Sequence, residues 1–255
     1  MGLFARIAPR KSADVPAANY RVQLLLPRPA AVDPFVIHRH LKTWREDVEL
    51  VGTDPGRFAI AIPTGTPIPI VVHIFQAPVD AYARELEQSI VWSQTWRDRR
   101  EVVARACESF VVATTIAPGP TYAAQILALL TVLDTVLVSL DERDAAAAVL
   151  HWIPAQQVMP CIRYRLLRKE LGPSGPVVNV RVSQLRPGEM VADTIGFAPL
   201  GLPDLQARFC NRDPNDVALR MMLVAKRQFL GEDLDDAVKD AALAAPSRAM
   251  LTIAI

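Results

Sequence analysis

A chain of 255 residues, 51% hydrophobic and 22% charged, has the composition of a packed globular protein and not of a disordered segment. Its formal net charge of +1 argues against nucleic acid as a partner, because phosphate binding rests on a surplus of Lys and Arg. Three widely spaced cysteines, Cys107, Cys161 and Cys210, fit neither a disulfide framework nor a zinc spacing and read as buried thiols of a cytoplasmic protein.

Residues 1–18 read as a frayed tail, since the apolar start of MGLFARIAPRKSADVP is too short for a signal-peptide core. YRVQLLLP (20–27) is a buried strand ended by Pro27. In VDPFVIHRHLKTWRED, Asp33 supplies a helix N-cap and Pro34 the first helical residue. Phe35, Ile37, Leu41 and Trp44 form the apolar stripe of that helix. VELVGTDPGRFAIAIP is two extended runs around a TDPG turn, and IPIVVHIFQAP (68–78), apolar on both faces, is a central strand. A helical segment with a break near Ser93 follows, with Val102, Val103 and Ala106 inward and Arg97, Arg99, Arg100 and Arg105 outward. SFVVATTI is extended and is stopped by APGP. The order β-α-β-β-α-β matches ferredoxin-like domains, so residues 19–118 form a first α+β half.

TYAAQILALLTVLDTVLVSL (121–140) is long enough to span a membrane. An acid near the centre, Asp134, costs about 2.5–3.5 kcal/mol on insertion scales, and no cationic anchor precedes the run. The segment 119–142 therefore reads as a core helix buried between layers, not as an integral membrane segment. Beyond it, AAVLHW is a short strand, and PAQQVMPCIRYRLLRKEL a helix that opens at Pro154 and closes near Gly172. GPSGP (172–176) is a linker, PVVNVRVSQL a strand, and RPGE a turn into the next extended run. DPNDVALRMMLVAKRQFLG is a helix capped by Asp213, started by Pro214 and ended by Gly231; AMLTIAI is a terminal strand. Residues 143–255 thus form a second half. The expected fold is α+β: two ferredoxin-like (βαββαβ-type) halves joined by a buried apolar helix.

Motifs that carry chemistry are scarce. His38 and His40 sit two apart on a helix and point in different directions, so they do not share a metal ion easily. GPSGP lacks the lysine and serine that a phosphate loop needs. No catalytic, metal or cofactor residues are assigned. The candidates are surface groups suited to another protein. Trp92 and Trp96 share a helical face if their helix is continuous, and tryptophan anchors interfaces. Arg97 heads an arginine cluster interleaved with Asp98 and Glu101. Glu232, Asp233, Asp235 and Asp236 lie in GEDLDDAVKD, the most acidic run, which suits a basic protein surface. In TIGFAPLGLPDLQARF (194–209), Gly196, Pro199, Gly201 and Pro203 shape a bend that lets a strand leave and re-enter its sheet. Asp204 there either caps local amides or faces a partner.

Three places together resemble a bacterial domain-of-unknown-function family. They are the Trp96 segment leading into ACESFVVAT, the apolar helix leading into AVLHW, and ADTIGFAPLGLPDLQARF before a helix. Members of that family carry a Thr–x–Gly signature and an acid-bearing extended segment, often with Glu where this chain has Asp204; the similarity covers most of residues 20–255. They are cytoplasmic and often encoded near toxin-delivery (type VI secretion) and contact-dependent competition systems. The family has no established catalytic residues to carry over.

The resemblance implies an immunity or accessory role. The leading expectation is a soluble protein-binding protein, an immunity protein that neutralises a toxin by occlusion without cofactor or reaction centre. The alternative is a chaperone or adaptor for a secreted effector. A further alternative is an enzyme, with His151, Asp193 and Asp204 converging in a groove between the halves.

Overall fold

The computed structural model describes residues 18–54, 56–93, 96–116 and 122–232. The N-terminal tail, Asp233, Asp235, Asp236 and the expected terminal strand AMLTIAI lie outside the described residues.

In chain order the strands are β1 (Ala18–Leu26), β2 (Glu49–Asp54), β3 (Arg57–Ile62), β4 (Ile70–Gln76), β5 (Glu108–Ile116), β6 (Val149–Trp152), β7 (Gln157–Pro160), β8 (Asn179–Arg186), β9 (Glu189–Ile195) and β10 (Gln206–Phe209). The helices are α1 (Pro34–Trp44), α2 (Ala83–Trp92), α3 (Arg99–Ala104), α4 (Tyr122–Ser139), α5 (Glu142–Ala147), α6 (Cys161–Leu171), α7 (Ser174–Val177) and α8 (Pro214–Phe229). The protein is α+β. A seven-stranded sheet runs in the order β2-β3-β4-β5-β1-β6-β7 and a three-stranded sheet in the order β10-β9-β8, every pairing antiparallel.

That topology corrects the two ferredoxin-like halves. A ferredoxin-like βαβ crossover joins parallel strands, but here β4 and β5, joined through α2 and α3, are antiparallel neighbours. β1 pairs with β5 on one side and with β6 on the other, Val22 standing between Val112 and Trp152. Strands from beyond the apolar helix therefore complete the first sheet, and one core cluster draws on residues from Tyr20 to Phe229.

Alternation assigns the two faces of the large sheet. Tyr20, Val22, Leu24, Phe58, Ile60, Val72, Ile74, Phe110, Val112 and Leu150 point into the main core. α4 lies on this face against β4, β5 and α1, burying Ile126, Leu129, Leu130, Leu133, Val136 and Leu137. It is not enclosed between layers as expected: Leu127 is 42% and Val138 65% exposed. Among the described residues it is also the helix long and apolar enough to cross a membrane. Its acid, Asp134, accepts from the Tyr164 hydroxyl at 2.5 Å and pairs with Arg168, which ties α4 to α6. Trp152 stacks on Tyr164 and meets Tyr20 edge-on beneath that contact. The opposite face is covered around Leu25, Val149 and Val158 by Leu86 and Ile90 of α2 and Val103 of α3.

Local chemistry explains most termini. Asp33 accepts from the Phe35 N–H at 2.8 Å and Asp213 from the Asn215 N–H at 2.9 Å, each followed by the expected proline. Several expectations change. Phe35 and Trp44 are exposed, leaving Ile37 and Leu41 to bury α1. The helix expected from Pro154 begins only at Cys161, because Ile153–Gln156 turns, with Gln156 at φ 49, and returns the chain as β7. GPSGP is no linker. Gly172 ends α6 at φ 67, and α7 is buried so tightly that a Cβ on Gly175 would stand 2.5 Å from the Leu167 carbonyl oxygen. Cys161 is buried as expected, but Cys107 and Cys210 are exposed.

Candidate functional site

A cleft of about 560 Å³ lies where the large sheet meets the small one, lined in part by Trp92, Arg97, Gln157, Arg163, Arg181 and Met222. Its walls follow from local sequence. α2 ends at Trp92, where Ser93 leaves helical geometry at ψ 51 and its hydroxyl donates to the Ser89 carbonyl at 2.7 Å. The same Ser93 oxygen accepts from the Val158 N–H at 2.8 Å, which pins the end of α2 to the edge strand β7. Trp92 is thereby held half-buried at the rim. Arg181, near the start of β8, places its guanidinium 4.3 Å from the centre of the Trp92 ring, a cation–π contact. Directly across the β8–β9 hairpin, Asp193 accepts from the Arg181 Nε at 2.9 Å and fixes the guanidinium's plane. Pro214, Asn215, Ala218 and Met222 bring one stripe of α8 to the cleft.

The charged groups in the lining are all cations, and one of them, Arg181, is already paired with Asp193 beside the cleft. Three guanidinium groups line the cleft, and no Asp or Glu is among its lining residues. Burial pushes the Arg163 pKa below its ordinary value, the mark of a cation partly stripped of water. Gln157 is 6% exposed, and its Oε1 has no hydrogen-bond partner, an unmet acceptor in the wall.

The residues singled out in the sequence fare differently. Trp92 and Arg97 line the cleft. Trp96 does not join them: the break after α2 takes it off that helical face, and it packs beside the Leu86–Ile90–Val103 cluster. Glu232 follows α8 and pairs with Arg227, whereas the rest of the acidic run is undescribed.

Asp204 is a staple of its own loop. Its Oδ1 accepts from the Phe197 N–H at 3.2 Å and from the Thr194 hydroxyl at 3.4 Å, closing the excursion between β9 and β10. Dense protein on its inner side raises the Asp204 pKa, and these hydrogen bonds offset only part of that rise. Gly196 is required there: at φ +126, a Cβ would stand 2.1 Å from the Val177 carbonyl oxygen.

His151, Asp193 and Asp204 are held by different partners. His151 is fully buried, with Nδ1 3.1 Å from the Gln23 Oε1 and Nε2 3.0 Å from the Ser89 hydroxyl. A serine, an imidazole and an amide in line look like a relay, yet all three are sealed between the sheet and α2. Burial pushes the His151 pKa down to about 4, so the ring is neutral at pH 7. Among the described residues no group of three His, Cys, Asp or Glu could hold a metal ion.

Sequence alone does not single out Arg163, Arg181 or Gln157. The expected turn at Pro187–Gly188 makes the hairpin, but alone it would set Arg181 opposite Thr194; the irregularity between Gln184 and Arg186, which the sequence does not announce, shifts it onto Asp193. Against known proteins, the chain matches no family model, no curated protein and no solved structure.

Proposed function

We propose that this chain works by binding another protein, and that the Trp92–Arg181 cleft is the contact site. The observation that supports the reading is a preformed cleft with tryptophan and three arginines in its lining and no acid among them. Tryptophan and arginine dominate binding hot spots because each buries a large, rigid surface while keeping directional contacts. A cleft of about 560 Å³ falls in the size range of real binding sites. The resemblance to proteins encoded beside toxin-delivery systems makes a toxin or secreted effector the first partner to try, with neutralisation by occlusion as the role.

The test is co-expression with the product of the neighbouring gene. The expected result is a stoichiometric complex and protection from that product's toxicity. Trp92→Ala should weaken the complex by about 2 kcal/mol, roughly 30-fold. Neither complex nor protection would overturn the reading.

A further inference from the structure

We propose that the cleft receives the partner as an extended acidic segment, laid as an added strand along the open edge of β8; this rests on the protein-binding reading above. Five consecutive residues, Val178 to Val182, line the cleft. Successive side chains in a strand point to opposite faces, so a wall made of consecutive residues is a strand seen along its edge. β8 is the terminal strand of the small sheet, paired through β9 alone among the described residues. Such an edge offers main-chain N–H and C=O groups that a second chain can pair with. Val178 and Asn179 are buried, so the accessible edge starts at Val180 and continues past the cleft through the exposed Ser183 and Gln184. At about 3.3 Å per residue these five residues give a track of roughly 16 Å, enough for a strand of four or five residues.

Two further observations set the chemistry of the occupant. Arg97, Arg163 and Arg181 line the cleft and no carboxylate does, Asp193 pairing with Arg181 from outside the lining, so the complementary side chains are Glu or Asp. Across the cleft, the Gln157 Oε1 is a buried acceptor without a donor, on the edge strand of the other sheet. A bare anion brings no donor to it; a peptide backbone does. On the α8 side the lining is Pro214, Ala218 and Met222, which suits apolar side chains. A strand alternates its side chains between two faces, so the matching segment alternates acidic and apolar residues.

The test uses the full chain and three labelled peptides: alternating Val and Glu over six residues, the same with Lys for Glu, and the Val–Glu peptide N-methylated at alternate amides. Fluorescence anisotropy should show the Val–Glu peptide binding at least about tenfold tighter than either of the others. Arg97→Glu, a change at an exposed position, should weaken it about tenfold, and added salt should weaken it too. Hydrogen exchange should slow at residues 180–184 when the peptide is bound.

No binding, equal binding of the acidic and basic peptides, or indifference to N-methylation would each overturn the proposal. So would a β8 edge already protected without peptide, which would assign it to another part of this chain. A dimer that the peptide does not dissociate would assign the edge to a second copy and overturn the proposal equally. If the native partner binds unaffected by Arg97→Glu and leaves β8 exchange unchanged, strand addition falls while protein binding stands. If no partner complex forms but the peptide binds as described, the reverse holds.

Discussion

Acidification should draw stability out of the fold through His151. Its imidazole lies between β1, β6 and α2, bonded to Gln23 and Ser89, and burial holds its pKa at about 4 against an ordinary 6.5. The folded protein therefore keeps the ring neutral while the unfolded chain takes up a proton from about pH 6.5 downward. Where the unfolded state binds more protons, stability falls as pH falls. His151 thus leaves stability intact above about pH 6.5 and erodes it progressively toward pH 4. The gap between the two values corresponds to about 3 kcal/mol, a large share of a net stability of about 5–15 kcal/mol. Urea denaturation of the wild type and of His151→Gln at about pH 7.5 and pH 4 isolates this contribution, because the other titrating groups are common to both chains. Between those pH values the wild type should lose about 3 kcal/mol more than the variant. Parallel losses, or a His151 imidazole resonance titrating near 6.5, would show that burial does not keep the ring neutral.

Other perturbations probe the parts that shape the cleft. Gly196→Ala forces a side chain onto a backbone at φ +126 and into the Val177 carbonyl, so denaturation should show a loss of about 3 kcal/mol or more; a change within about 0.5 kcal/mol would contradict the packing. Leu133→Ala empties the centre of the α4–sheet interface and should cost about 2–5 kcal/mol in the same assay. Asp204→Ala removes the acceptor for the Phe197 amide and should cost about 1–3 kcal/mol, while Asp204→Asn retains an acceptor and should cost less. Partner affinity should not change in Asp204→Asn, since the side chain serves its own loop.

The elements most legible in the sequence are those whose signals are local. Asp33–Pro34 and Asp213–Pro214 mark helix starts through cap chemistry that acts within three residues, and the TDPG and RPGE turns mark hairpins in the same way. Pairing at long range is not legible. Nothing near Val22 says that it stands between Val112 and Trp152, so β6 reads as the start of a second half when it completes the first sheet. The short strand Gln157–Pro160 is hidden because its four residues run directly into the helical pattern of α6. The cleft shows the same division. Trp92 and Arg97 stand out from residue type alone, but Gln157, Arg163 and Arg181 acquire meaning only when α2, β7, α6 and β8 converge. The order Ser89, His151, Gln23 is equally invisible, since 62 and 128 residues separate its bonded pairs.

Hydrogen exchange on the full chain bound to its native protein partner decides whether the cleft is the contact site. Protection should concentrate on residues 180–184, the end of α2 at Trp92 and the first turns of α8. Protection on another face, such as the exposed side of α4, with the cleft exchanging as in the free protein, would contradict it.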